Sequence, residues 1–468
     1  MRKIYITALL CLLGMGSLSA QSARKAQNLF EQGEFEQAKA IYQQLVKMAP
    51  SNAGYNYFYG ACCYETGELE KSVSYLEKSA KRKYINAYRY LGKAYFDLYR
   101  FEEALENYET HLEWLIKKNR DTEAVEEEMG RIRQGARMIK GVEKVLVVDS
   151  FALPKDRFLE AYKLSKSSGS LAKNDETGGM SYTNEMGNVR LMTKADKTGK
   201  MQLYSQIKLL KGWGKENPIE SLNEMGNVNY PFLMGDGLTL YFSSDGEGSI
   251  GGQDIFVTRY ASDDNSYLRP DNIGMPFNSL ANDYMYAIDE FNQLGWFASD
   301  RYQPADSVCV YVFVPNESKV VYNYETTGTE KIQAAASLKS ISATWSDADK
   351  VQQVKTHLQA LLNQKDEADN KHEFTFVVND DRVYHALSDF RSAKARQLYQ
   401  QLVLKRSDLK KLSTELAAKR ERYATENSLG KKKLGPSILE LEKRVPQLVQ
   451  EVKDLTLQVR NNEIANKK

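Results

Sequence analysis

The chain is poor in the residues that build disulfide frameworks, metal centres and catalytic triads. Its 468 residues include 4 cysteines and 4 histidines. Cys11 lies in an N-terminal apolar stretch, and Cys62, Cys63 and Cys309 are too few for a disulfide framework. His111, His357, His372 and His385 are scattered without metal-ligand spacing, which argues against a structural zinc site. No G-x-S-x-G occurs and no serine, histidine and aspartate cluster suggests a triad, so hydrolase chemistry is not expected. No segment is apolar over ~18 residues, so no transmembrane span is expected. A cofactor is not expected either.

The N-terminus carries Arg2 and Lys3, an apolar stretch from Ile4 to Leu13, and Leu-Ser-Ala20. That order predicts a signal peptide over 1–20, cleaved after Ala20. Leu-Leu before Cys11 is a poor lipoprotein processing site, so no lipid anchor is expected. Without Arg2 and Lys3 the formal net charge falls from +2 to 0. Residues 391–468 hold 19 Lys+Arg against 9 Asp+Glu, a net of +10, which leaves about −10 on residues 21–390. A secreted chain rarely meets nucleic acid, so solvated helix faces are the expected use of this basic tail.

A repeat of roughly 34 residues follows. Gly33 precedes Ala38, Tyr42 and Pro50; Tyr59-Gly60 precede Gly67, Leu76 and Ala80; Tyr90-Leu91-Gly92 and Tyr95 precede Phe101, Ala104 and Tyr108. Small residues at these positions let two helices of a hairpin approach, and the aromatics fill the seams. The pattern resembles tetratricopeptide repeats over Ser22 to Lys118, with a capping helix from Thr122 to Lys140. The resemblance implies a concave groove for a partner peptide or helix, and Tyr59 and Tyr95 are the partner-binding candidates there. Cys63 is expected to be a packed thiol.

After Gly141 the period becomes alternating. Strands are predicted at Val145–Phe151, Val189–Thr193, Met201–Leu209, Leu238–Ser243, Ile255–Arg259, Tyr284–Ile288, Leu294–Ala298 and Val308–Val314. Asp236 to Asp245 aligns with Phe291 to Asp300 at a shift of 55, and Ile255–Val257 then falls on Val310–Val312. Asn-Glu-Met-Gly-Asn-Val occurs at Asn184 and again at Asn223, which also suggests duplication. Gly246-x-Gly248-x-x-Gly251 matches a dinucleotide fingerprint, but Asp254-Ile-Phe-Val continues as a strand. Without a helix N-terminus behind the glycines there is no phosphate cradle. Asp245, Glu247 and Asp254 carry oxygens suited to calcium but lack its ligand spacing, so turn formation is the expected role.

From 321 to 390 the chain is mixed α/β. Ser346 is the expected cap of a helix through Leu361, and a hairpin around Asp380-Asp381 is expected to complete the blade sheet or cover its side. From 391 to 468, apolar residues spaced three and four apart predict an antiparallel coiled-coil hairpin turning between Asn427 and Pro436. Lys431, Lys432 and Lys433 at that turn are candidates for an anionic contact.

The stretch DGLTLYFSSDGEGSIGGQDIFVTR, with the later NIGMPFNS and GWFASDR, resembles the WD40-like (PD40, TolB-type) repeats of Bacteroidetes envelope proteins. The order of signal peptide, helical repeats and blades resembles a Bacteroidetes periplasmic family that includes a type IX secretion component, although the OmpA-like domain of that component is missing here. The expected fold is therefore multidomain α + β: helical solenoid over 21–141, β-propeller or partial propeller over 142–320, then the mixed segment and the coiled coil. The resemblance implies a non-enzymatic periplasmic scaffold associated with the outer membrane, whose partners are envelope proteins held by groove, blades and tail. The alternative is glycan or peptidoglycan binding by an aromatic blade face of Tyr230, Tyr241, Trp296 and Tyr302.

Overall fold

The structure, a computed structural model, describes residues 20–174, 179–210, 212–264, 266–363, 376–379, 382–384, 386–425 and 428–465. The chain divides into two compact units, residues 1–207 with 215–358, and residues 208–214 with 359–468. Most of the expected signal peptide, Asp380-Asp381, His372 and His385 lie outside the described residues.

The first unit opens with a helical solenoid. Helices α1 (20–31), α2 (Phe35–Met48), α3 (Ala53–Glu65), α4 (Leu69–Ala80), α5 (Ile85–Asp97) and α6 (Phe101–Lys117) form three hairpins, and α7 (Glu123–Lys140) stacks on the last. The small residues work as spacers. A Cβ on Gly60 would lie 2.7 Å from Leu76, and one on Gly92 would overlap the Tyr108 ring. The hairpins turn through left-handed residues, Gly33 at φ 80 and Gly67 at φ 79. In the third hairpin that place is taken by Tyr99 at φ 59, a conformation costly for a side chain. Its ring is buried where the solenoid meets the sheets, which offsets the cost.

Three antiparallel sheets follow, with one helical turn between the first two, α8 (Glu220–Asn223). Strand β1 (Leu146–Pro154) precedes the first sheet but does not join it. That sheet holds β2 (Ser170–Asn174), β3 (Gly179–Thr183), β4 (Val189–Ala195) and β5 (Met201–Leu209), with short β6 (Gly212–Trp213) and β7 (Asn217–Pro218) against β5. The second holds β8 (Asn229–Leu233), β9 (Thr239–Ser244) and β10 (Asp254–Ala261), with β11 (Ser266–Tyr267) and β12 (Asp271–Asn272) against β10. The third holds β13 (Asp283–Asp289), β14 (Leu294–Ser299) and β15 (Ser307–Val314), and β1 pairs with its outer strand β15. None of the three sheets closes on itself.

The duplication read from the sequence is visible in the register. Phe242 pairs with Phe256 and Phe297 with Tyr311, each residue displaced by the same 55 positions. Asparagines between sheets repeat with it. Asn223 bonds both backbone groups of Leu203, and Asn278 does the same to Ile255. Asn227 accepts the Met201 amide and Asn282 that of Gln253, so each linker ties its sheet to the one before. The two copies of Asn-Glu-Met-Gly-Asn-Val are not equivalent, contrary to expectation. At Asn184 the motif is the tight turn from β3 to β4, its side chain accepting the Asn188 and Val189 amides. The structural counterpart of residues 223–227 is Asn278 to Asn282.

Helix α9 (Thr329–Ser337) packs on α7 through Ile332, Ala335 and Ala336. Beyond it, Thr344 Oγ1 receives the Val147 amide and Trp345 Nε1 donates to the Val147 carbonyl, covering β1. Helix α10 (Ala348–Asn363) begins later than expected, with Asp347, not Ser346, accepting the Lys350 amide.

In the second unit, β16 (Phe376–Asn379) pairs with β17 (Arg382–Tyr384), and this hairpin extends none of the three sheets. Its Phe376, Val378 and Tyr384 pack instead with Phe390, Tyr399, Leu402 and Val459. Helices α11 (Ala393–Thr425) and α12 (Ser428–Ala465) run antiparallel, shown by ion pairs Lys405–Glu451 and Arg420–Glu442. The buried Glu463 accepts the Tyr384 hydroxyl and the amides of Arg391 and Ser392, fixing the start of α11. Within the stretch where the turn was expected, residues 428–436 are helical. The helix resumes at Ser428 and continues through Pro436 and Pro446.

Candidate functional site

In the second and third hairpins the first helix carries an aromatic residue four places beyond its close-packed glycine: Tyr64 after Gly60, Phe96 after Gly92. These positions share one face of the solenoid. There they border a cleft of about 220 Å³ lined by Tyr64, Lys93, Phe96, Asp97, Glu128 and Arg131, with Leu280 from the loop before β13 as a further wall. A chain of ring contacts, passing through the buried Tyr57, leads to it. Phe30 meets Phe58 at 5.2 Å, Phe58 meets Tyr57 at 4.9 Å, Tyr57 meets Tyr90 at 5.8 Å, and Tyr90 meets Tyr64 at 5.6 Å.

The cleft's polar groups are partly committed. The Tyr64 hydroxyl donates to Asp97 Oδ2 at 2.8 Å, and Asp97 Oδ1 accepts no hydrogen bond among the described residues. Burial pushes the Asp97 carboxyl above its ordinary range, against the Tyr64 hydrogen bond and the charge of Lys93. Arg89 approaches Glu128 Oε1 at 3.6 Å, while Glu128 Oε2 is buried without a donor. Behind this wall His111 is buried, its Nδ1 without a partner, and burial with the nearby Arg89 charge lowers its pKa. Arg131, on the same wall, donates to the Ile250 carbonyl at 2.7 Å and 3.1 Å.

That contact explains the glycine-rich loop. Ile250 is fully buried in the solenoid's core, against Gly135 of α7, where an added Cβ would lie 2.8 Å from its Cδ1. A Cβ on Gly246 would collide with the Met225 carbonyl, and one on Gly251 with that of Ala281. The glycines admit neighbouring backbone, and the loop is a peg joining sheets to solenoid. Its acids do not converge on a cation position. Asp245 Oδ1 accepts the Asn227 amide, Asp254 accepts the Ile250 and Gly251 amides and the Asn272 side chain, and the exposed Glu247 lies 3.8 Å from Arg269. Among the described residues no group of three His, Cys, Asp or Glu could hold a metal ion. Cys62 and Cys63 are buried, and burial pushes the Cys62 thiol up to about 12.

Several expected partner-binding residues have no surface to offer. Tyr59 and Tyr95 are buried between helices, and Trp296 is fully buried in β14, because their spacing places them on inward faces. Tyr241 meets Tyr286 at 4.6 Å with the rings tilted, and Tyr230 wedges between Phe158 and Tyr284. Tyr302 is 56% exposed and its hydroxyl donates to the Ser337 carbonyl. These four therefore do not form one aromatic face. Lys432 and Lys433 are exposed on the first turns of α12, and Lys431 lies over the Tyr423 ring at 5.7 Å. Tyr64, Phe96, Asp97 and Glu128 were missed by sequence reasoning. For Tyr64 and Phe96 the common offset from the repeat glycines was the available signal.

Residues 24–86 match the tetratricopeptide repeat family. The N-terminal solenoid is built of tetratricopeptide repeats. Among solved structures, the chain is similar to the Sgt2 TPR domain from Aspergillus fumigatus, at 24% identity over 25% of this chain and 79% of that one, with a TM-score of 0.23. It is also similar to the type III secretion translocator chaperone SycD of Yersinia enterocolitica, at 17% identity over 25% of this chain and 86% of that one (TM-score 0.24). A third is the TPR2B domain of yeast Sti1 in its pHsp70 complex, at 17% identity over 26% and 97% (TM-score 0.23). No curated protein matches the chain. The tetratricopeptide solenoid thus leads into a strand-rich region and a C-terminal helical region, and no helix among the described residues is long and apolar enough to cross a membrane.

Proposed function

We propose that the chain is a non-enzymatic adaptor that holds an extended segment of a partner protein on the first-helix face of its tetratricopeptide solenoid. The observation that carries this reading is the series of ring contacts from Phe30 to Tyr64, which ends in the cleft at Asp97. The sheets, which we read as WD40-like blades, fix the orientation of that groove through Ile250 and α9. The long helix pair, read as a coiled coil, supplies a second docking element through its basic face. The signal-peptide pattern and the resemblance to envelope proteins support a periplasmic, outer-membrane-associated setting linked to type IX secretion, with envelope proteins as partners.

Photo-crosslinking in cells tests the groove. A benzoylphenylalanine at Phe96 is expected to give an adduct with a partner protein, and one at the exposed Lys197 is not. Equal adducts from both positions, or none from Phe96, overturn the reading.

A further inference from the structure

The groove's chemistry narrows the kind of segment it can hold, an inference that rests on the adaptor reading. Two carboxylates and two cations line the cleft, but they are not equally available. Arg131 spends Nε and Nη2 on the Ile250 carbonyl, so its guanidinium holds the peg loop. Lys93 lies 5.7 Å over the Tyr90 ring, at the approach to the cleft. By contrast, Asp97 keeps an oxygen with no donor among the described residues, and Glu128, whose Oε2 is buried, adds its charge to the wall.

The phenols add to the imbalance. Tyr64 gives its proton to Asp97 and Tyr90 gives its proton to Glu65, so each phenol oxygen is left as an acceptor. The Asp97 oxygen and these phenol oxygens are therefore acceptors along the groove, which the rings of Tyr64 and Phe96 also line. Acceptor oxygens beside aromatic faces suit a cation with several N–H donors, and a guanidinium satisfies both at once. A carboxylate there would face the charges of Asp97 and Glu128.

We propose that the cleft between Tyr64, Phe96, Asp97 and Glu128 takes an arginine or lysine side chain of the partner's extended segment. Asp97 and Glu128 supply the counter-charge, and the rings flank the aliphatic stem. The remainder of the segment lies along the Phe30–Tyr90 track.

A phage-displayed random dodecapeptide library panned on the full chain tests this. Selected peptides that block Phe96 crosslinking are expected to share an arginine or lysine. Replacing that residue by glutamine is expected to weaken binding by about tenfold on the wild type, and by less than about twofold on the Asp97→Asn/Glu128→Gln double variant. The asparagine side chain introduced there still accepts the Tyr64 hydroxyl, and an unchanged melting temperature checks that the double variant is folded. Lys93→Gln, which leaves both acceptors in place, is expected to tighten the cationic peptides. If the selected peptides compete in the groove but are acidic or lack a shared cation, this inference falls and the adaptor reading stands. A glutamine penalty that persists in the double variant overturns the inference in the same way. If no selected peptide competes with Phe96 crosslinking, both fall.

Discussion

Asp254 and Asp283 do the same work at the entrances of neighbouring sheets under opposite electrostatic conditions. Each is fully buried at the first residue of its strand, and each accepts backbone amides from the loop just before it. Asp283 faces Arg301, which donates to its Oδ1 at 2.8 Å and to the Pro276 and Phe277 carbonyls. Asp254 has only amides and Asn272, and burial together with the charge of Asp283 lifts its carboxyl to about 7. The shared role is to hold a loop against the solenoid: Ile250 ahead of Asp254, Leu280 ahead of Asp283. Burial raises both carboxyls, but the Arg301 charge opposes the rise at Asp283, whereas Asp254 has no such counter-charge and is lifted to about 7.

Breaking the paired clamp should have the largest effect. Arg301→Met strands a buried carboxylate and is expected to cost about 3–5 kcal/mol in denaturant unfolding. Adding Asp283→Asn, which keeps an acceptor but removes the charge, should restore part of that loss. Next is the peg itself. Ile250→Ala should cost about 2–4 kcal/mol and speed amide exchange in α7, where Gly135 and Phe101 lose their neighbour.

The unpaired clamp sharpens the comparison through pH. With a folded-state pKa near 7, raised above the unfolded value, Asp254 binds its proton more tightly in the folded protein. Its contribution to stability is therefore greatest in acid and is lost as pH rises through about 4 to 7. Asp254→Asn should remove that component, so the variant gains on the wild type from pH 5 to pH 8; parallel curves would show that Asp254 is not the titrating group. The smallest effect is expected from the outer acids. Asp245→Asn gives up charge at a single exposed amide contact and should change stability by less than about 1 kcal/mol. Its counterpart Asp300 also serves Tyr284, Asn282 and Lys155, so Asp300→Asn should cost more.

What could be read from the sequence follows the same division. Helical period, repeat glycines and the 55-residue shift are local patterns, and they gave the solenoid, β5 and the paired hairpins β9–β10 and β14–β15. The strands β2, β3 and β8 were missed because their residues do not alternate cleanly: Gly179 leads β3, and Tyr230 bulges out of register at φ 54. The cleft was harder to foresee. Asp97 and Glu128 come from different helices, and only stacking brings them to one wall. Nor does composition show that Ile250 and Arg131 meet across 119 residues. The glycine loop's pattern was legible, but its purpose depended on what passes beside it.

The peg gives α7 a mechanical meaning. One side of the helix carries Glu128 at the cleft wall, while Gly135 and Arg131 grip the loop that leads into β10. A pull on any segment seated in the groove is thus delivered through one stiff rod to a sheet, with no slack linker along the way. The solenoid and the strands behind it would answer tension as a single lever.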